Sequence, residues 1–258
     1  MNAPKRLFRP AMNVLRRLLH SHSSTGQQPP PPESVLAPLD EPFYSALLSI
    51  YRAEPQLGTD GQLHEIDRIT GIDAANGMWL YDLYRRLAPR ASLEIGMAYG
   101  CSTLFFLAAI AKNGAGAHTA IDPYELSYWH GIGAEKVRQV GANAFRFVKE
   151  TDYQAATDLA RERRTFDFIF IDGSHRFDDA LVDFTLFAPL LNKGGLIVFD
   201  DIWMPSIRTT VAFIQTNRLD FNHIPGSPGP RFAAFERIGD DIRLWDHFIP
   251  FAVAPSSL

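Results

Sequence analysis

The sequence contains a single cysteine, Cys101, among 258 residues. One thiol cannot form an intrachain disulfide or a cysteine-ligated metal cluster, and it suits a reducing compartment, so we predict a cytoplasmic protein. No apolar run approaches the about 18 residues that a membrane-spanning helix needs, and the densest run is 104–111. A basic excess is also missing, because the net charge is −4, which disfavours nucleic acid as a partner.

Residues 1–37 are predicted to lie outside the folded domain. Residues 1–22 carry five basic and no acidic side chains, and three leucines share one helical face. Weak contact with a membrane surface and a solvated tail are both consistent with that pattern. Residues 21–33 are rich in Ser, Gln and Pro, which indicates an extended linker. The domain is therefore predicted to span 38–258.

Within the domain, a helical region at 41–90 precedes short apolar runs that alternate with helices. The predicted parallel strands are 91–96, 117–122, 144–150, 166–172 and 196–201. Strands separated by single helices indicate a doubly wound, mostly parallel α/β sheet of Rossmann-like type. Alternation in 231–238 and 241–248 predicts an antiparallel hairpin that closes this sheet.

Acidic residues end four of the predicted strands. They are Glu94, Asp122, Asp172 and the pair Asp200 and Asp201. Right-handed crossovers place the carboxyl ends of parallel strands at one edge of the sheet, where such folds bind ligands. We therefore expect these carboxylates to surround a common site.

The loop after the first strand narrows the choice of ligand. Gly96 and Gly100 are present, but a dinucleotide fingerprint would also need glycine where Ala98 and Cys101 stand. Glu94 adds a negative charge that disfavours a phosphate-bearing cofactor. A nucleotide-dependent dehydrogenase is therefore the weaker alternative, and a cationic ligand with an amino group and a ribose is favoured.

Residues 93–103, together with Asp122, resemble the motifs of class I S-adenosylmethionine-dependent methyltransferases, whose O-methyltransferases often have E-x-G-x-x-x-G. The resemblance implies that Glu94 lies near the methionine end and Asp122 at the ribose. It further implies cofactor contacts from Gly96, Gly100, Ser102, Asp152 and Asp172. Gly100 as a simple turn residue and Ser102 as a helix N-cap remain alternatives.

Three of the acids suggest a metal. Asp172 and Asp200 end strands expected to be neighbours, and Asp201 follows directly, so their charges repel unless protons or a cation are present. Oxygen ligands favour a hard ion such as Mg²⁺. Because successive strand residues point oppositely, the chain must turn at Asp201 for both acids to bind.

The segment I-D-G-S-H at 171–175, followed by D-D at 200–201, resembles the metal-dependent O-methyltransferases that act on macrolide sugars, and more distantly the catechol enzymes. The resemblance implies that His175 is the general base, although His175 could instead brace the helix that follows it. A small sugar, polyol or phenol is the predicted acceptor, with Trp203 and His130 as possible walls. Two further possibilities remain open. The protein could be a non-catalytic module that binds the adenosyl cofactor, and it could form a homo-oligomer.

Overall fold

The computed structural model describes residues 30–67, 70–224 and 231–253, so the predicted basic tail lies outside the described part. Within that part, no helix is both long and apolar enough to cross a bilayer. The first element is helix α1, Pro32–Leu36, which packs on the next two helices and buries Leu36 completely. The packed structure therefore begins before residue 38, because Leu36 joins the core of the N-terminal helical layer.

The N-terminal helical region predicted for 41–90 is present, with one addition. Its elements are α2 Phe43–Tyr51, β1 Gln56–Leu57, β2 Leu63–His64 and α3 Ala74–Leu87. The two short strands pair as a separate antiparallel ribbon, which the sequence did not indicate. Helix α3 begins where the side chain of Asp73 accepts a hydrogen bond from the amide of Asn76, and Pro89 follows its end.

A seven-stranded sheet forms the centre of the molecule and confirms the predicted fold class. Its strands are β3 Ala91–Ile95, β4 Ala117–Ile121, β5 Phe145–Val148, β6 Phe166–Ile171, β7 Leu191–Phe199, β8 Phe221–Ile224 and β9 Ala233–Arg237. The spatial order is β5-β4-β3-β6-β7-β9-β8. The first five strands are parallel to one another, and β9 is antiparallel to both β7 and β8.

Helices cover both faces of this sheet. They are α4 Cys101–Asn113, α5 Ile132–Gln139, α6 Asp152–Arg161, α7 Phe177–Phe187 and α8 Pro205–Asn217. Alternate residues of β6 enter two separate cores: Phe168 and Phe170 pack with the N-terminal helices, and Ile169 and Ile171 pack with α6 and α7. This double burial explains why the strand is continuously apolar.

The closing antiparallel pair is present, but the residues predicted for one of its strands are wrong. Strand β9 pairs with β8 rather than with 241–248, which is irregular. Both ends of β8 are buried, whereas Ile242 and Leu244 point into solvent, so the alternation of 241–248 reflects no sheet face. Residues 221–224, which the sequence analysis did not assign to a strand, pair with β9 and pack against α8.

The topology defines where a ligand crevice opens. Strand β3 has β4 on one side and β6 on the other, so the chain order reverses between β3 and β6. The amide of Gly96 donates to Ile121 and the amide of Asp172 donates to Ile95, which keeps the three strand ends level. Open α/β sheets bind ligands outside the carboxyl ends of the strands at such a reversal.

Candidate active site

A cavity of about 600 Å³ opens at this edge of the sheet. Most of the residues predicted for the site line it, namely Gly96, Ser102, Asp122, Asp152, Asp172, His175 and Asp201. Glu94, Gly100 and Asp200 do not. Loops from β3, β4, β6 and β7 therefore converge as the strand order requires.

The loop after β3 depends on two glycines with left-handed backbone. Gly96 has φ 88°, and a Cβ there would collide with the carbonyl of Asp172 and lie 2.8 Å from the Cα of Gly173. Gly100 has φ 78° at the start of α4, and its Cβ would lie 3.0 Å from the Cα of Gly133. Close backbone packing therefore requires glycine at both positions.

Asp122 holds the shape of this loop. Its Oδ2 accepts hydrogen bonds of 3.0 Å from the amides of Met97 and Ala98, and its Oδ1 accepts one of 2.8 Å from the amide of Tyr124. The carboxylate is 5% exposed and lines the cavity. It is thus fixed by the backbone while one side remains open to a ligand.

Glu94 lies behind the loop rather than in the cavity, contrary to the placement that the resemblance implied. Its Oε2 accepts from the hydroxyl of Thr103 at 2.5 Å and lies 3.0 Å from Nε2 of His118. The other ring nitrogen of His118 lies 2.8 Å from the hydroxyl of Ser92. Glu94 is completely buried on the core face of β3, so strand alternation directs it away from the ligand.

Ser102 and Asp152 both line the cavity. Ser102 is in the first turn of α4, but Gly100 is the N-cap residue and makes no side-chain cap, so the N-cap alternative is not observed. Asp152 begins α6 and interacts with Asp183, which the sequence did not indicate. Burial and the neighbouring Asp152 raise the pKa of Asp183 to about 8, so this carboxyl pair holds a proton at neutral pH.

A second group of charges lies on the opposite side of the cavity. Nε2 of His175 is 2.8 Å from Oδ2 of Asp201 and 3.8 Å from Oδ1 of Asp172. One donor atom from each residue lies within 4.8 Å of the other two, which is a spacing that can hold a metal ion. The loop that carries His175 is held to α8 by a 2.6 Å hydrogen bond from the hydroxyl of Ser206 to the His175 carbonyl.

The expected turn at Asp201 is present, but it separates the two adjacent acids. Asp201 has φ 53°, a left-handed conformation that Asp adopts more readily than most residues. Its side chain enters the cavity, whereas Asp200 is buried and paired with Arg231 at 2.7 Å. The predicted trio of Asp172, Asp200 and Asp201 is therefore replaced by one in which His175 takes the position of Asp200.

The charges of this cluster fix its protonation. Asp172 and Asp201 raise the pKa of His175 to about 10, which favours the protonated imidazole at neutral pH. The general-base role of His175 stays a prediction. Burial raises the pKa of Asp172. Burial acts in the same direction on Asp201, but His175, Arg231 and Trp203 together keep the pKa of that carboxyl below its usual value.

Aromatic side chains form the remaining walls. Trp203, as predicted, lines the cavity, and its indole N–H donates to Oδ1 of Asp201 at 2.8 Å. Tyr99, Tyr124 and Trp129 also line it, and the rings of Tyr99 and Trp129 meet edge to face at 5.1 Å. The aromatic-rich loop after β4 was the signal in the sequence. His130 lies outside the cavity lining and stacks on His64.

The comparisons with known proteins agree with this geometry. A family model described as a methyltransferase domain matches residues 93–202. The cofactor-bound structure of Rv0187 from MTB has a TM-score of 0.61 at 20% identity, over 83% of this chain and 100% of that one. The O-methyltransferase from Bacillus cereus in complex with SAH has a TM-score of 0.53 at 16% identity, over 87% and 97%.

Two curated relatives match shorter stretches. Uncharacterized protein R132 of Acanthamoeba polyphaga mimivirus is 42% identical over 60 residues, which cover 20% of this chain and 27% of that protein. Uncharacterized protein y4gI of Sinorhizobium fredii is 27% identical over 133 residues, which cover 48% and 14%. The chain thus spans less than a third of the length of either relative.

Residues 93–202 match the model of a methyltransferase domain, and the fold of the described chain is similar to that of solved methyltransferases.

Proposed function

We propose that this protein transfers the methyl group of S-adenosylmethionine to a hydroxyl of a small-molecule acceptor, with a divalent metal ion held by Asp172, His175 and Asp201. The observation that carries the proposal is that the glycine loop and the ionic cluster share one cavity. Asp172 joins the two, because its backbone packs against Gly96 and its carboxylate faces His175.

The cofactor side suits the adenosyl group and the methionine. Oδ1 of Asp122 accepts one backbone hydrogen bond, so it retains a lone pair for a ribose hydroxyl. Ser102, in the first turn of α4, offers a hydroxyl near the positive end of that helix, which favours the methionine carboxylate. The B. cereus O-methyltransferase was solved with SAH, which supports the same cofactor here.

The donor set fits a divalent ion. Two carboxylates and one imidazole replace the three carboxylates predicted from the sequence, and this change shifts the preference from Mg²⁺ toward Mn²⁺. A bound divalent ion would displace the proton of His175, lower the pKa of an acceptor hydroxyl so that its proton can pass to solvent, and fix that oxygen near the methyl group.

The surrounding side chains orient the donors and limit solvent. Trp203 and Arg231 both contact Oδ1 of Asp201, which leaves Oδ2 directed at His175. Asp200 neutralises Arg231 from the buried side. Such outer contacts fix ligand orientation. The aromatic walls, with Trp129 among them, exclude water and suit the flat or ring-shaped face of a sugar or phenol.

The decisive experiment separates the two halves of the proposal. Calorimetric titration with SAH in the presence of EDTA should show micromolar binding, and titration with MnCl2 should show one site per chain. Transfer of a tritiated methyl group to a panel of catechols and free sugars then tests turnover. Absence of SAH binding contradicts the proposal, and SAH binding without transfer to any acceptor favours a non-catalytic cofactor-binding module.

A further inference from the structure

Exposed apolar side chains are concentrated at one end of the described chain. Nearly half of the exposed large apolar residues lie within 238–253, namely Ile238, Ile242, Leu244, Trp245, Phe248, Ile249 and Val253. We call residues 240–253 the C-terminal arm. Single exposed hydrophobic residues are ordinary, but seven within one short stretch of the described chain indicate an interaction surface.

Specific contacts hold the arm on α8 and on the segment after it. The side chain of Asn217, itself fully buried, donates to the carbonyl of Ile249 at 3.0 Å and accepts from its amide at 2.7 Å. The rings of Phe251 and Phe213 meet at 5.9 Å. At the other end, Lys193 pairs with Asp240 at 2.7 Å and Arg218 with Asp241 at 3.8 Å. The arm is therefore fixed at both ends.

Between these anchors the apolar side chains point outward. Ile242 is 85% exposed, Leu244 75%, Trp245 96% and Phe248 62%. Because a large side chain offers roughly 150–250 Å², these four together present on the order of 500–700 Å². That area approaches the roughly 800 Å² that each partner contributes to a stable protein interface.

We propose that the C-terminal arm is the interface of a homodimer, in which the arms of two copies pack against each other about a twofold axis. Asp240 and Asp241 are paired with Lys193, Arg218 and Arg243, so the arm offers no basic excess to anionic lipid and carries little net charge against a second copy. An aromatic and aliphatic centre with charges of both signs around it matches the anatomy of an isologous interface.

The test is the mass of the full chain in solution between 1 and 100 µM, by sedimentation or light scattering. The wild type should approach twice the 28.9 kDa chain mass at high concentration. The double variant Leu244→Asp, Trp245→Asp should remain at the chain mass. Leu63→Asp, which changes an equally apolar residue 69% exposed on the β1–β2 ribbon, should still dimerise.

A second measurement tests the proposal even if the double variant does not fold. Dilution of the wild type should shift tryptophan emission to longer wavelength as Trp245 returns to water, and Trp245→Phe should dimerise without this shift. A wild type that is monomeric at 100 µM, or a dimer that survives the double variant, overturns the proposal. Binding of a monomer to phosphatidylcholine vesicles would do the same and would assign the arm to a membrane.

Discussion

The two sides of the cavity satisfy their carboxylates by different means. On the cofactor side, Asp122 receives three backbone amide hydrogen bonds. On the acceptor side, Asp201 is held by the side chains of His175, Trp203 and Arg231. Backbone donors keep their positions as long as the fold persists, whereas side-chain cations can turn away or lose a proton. The side of the glycine loop is thus preformed, whereas the side chains around Asp201 can exchange partners, as the proposed metal site requires.

The largest effect is expected from a substitution at the point where the two sides of the cavity meet. Gly96→Ala should abolish both SAH and Mn²⁺ binding, more than about 100-fold each, because the new Cβ collides with the Asp172 backbone at φ 88°. Gly61→Ala is the matched control, since Gly61 has φ 77° with open space around it. Calorimetry on the two variants measures the effect. Retention of both affinities in Gly96→Ala would show that the sides are not coupled there.

A charge removal on the acceptor side should act on that side alone. Asp201→Asn keeps a residue type that tolerates φ 53° but removes a ligand charge, so we expect Mn²⁺ affinity to fall about 100-fold. SAH affinity should change less than about threefold. Asp178→Asn, in the first turn of α7 and outside the cluster, should leave both affinities unchanged. Equal losses of Mn²⁺ and SAH binding in Asp201→Asn would refute the separation.

A substitution beside the glycine loop should affect SAH binding and leave Mn²⁺ binding unchanged. Asp122→Asn removes the charge that accepts the loop amides, and such charged hydrogen bonds contribute about 1.5–3 kcal/mol each. We expect SAH affinity to fall about 10-fold with Mn²⁺ affinity unchanged. Calorimetric titrations of SAH and MnCl2 against the same preparation provide the comparison. A fall in Mn²⁺ affinity would mean that the loop after β4 also supports the metal site.

The smallest effect concerns a buried acid beside the cofactor side. Burial raises the pKa of Glu125 from 4.5 to about 7, so between these values the folded protein holds a proton that the unfolded chain has lost. Folding stability from this group therefore declines as pH rises from 4.5 to 7. Glu125→Gln should raise the free energy of unfolding at pH 8 by about 1–3 kcal/mol.

Urea denaturation at pH 5 and pH 8 measures this change, with Glu135→Gln as the control. Arg138 lowers the pKa of Glu135, although burial opposes it, so loss of that carboxylate should lower stability slightly at pH 8. A Glu125→Gln protein that is no more stable than the wild type at pH 8 would show that folding does not raise the pKa of Glu125.

The sequence was sufficient for the parallel sheet and for most of the cavity. Buried strands are continuously apolar, and their ends share an edge, so Asp122, Asp172 and Asp201 could be placed together. The buried position of Glu94 within β3 could have been inferred from the same apolar pattern.

Side-chain partners that are distant in sequence could not be predicted. Arg231 reaches Asp200 from the start of the last strand, 31 residues away, and no local pattern announces that pairing. The closing strands show the same limit, because the alternation at 241–248 predicted a partner for the last strand, whereas the structure pairs that strand with 221–224. The structure therefore adds most to the sequence-based prediction where residues that are far apart in the chain pair with each other.

The left-handed backbone at Asp201 restricts how this site can change by mutation. Gly, Asn and Asp adopt φ 53° more readily than most residues, and of these only Asp carries a charged carboxylate. Glutamate keeps the charge but strains the turn, and asparagine keeps the turn but loses the charge. If Asp201 holds the proposed metal, a lineage can lose the metal through Asn and keep the fold, and it regains the metal most readily by restoring Asp at this codon.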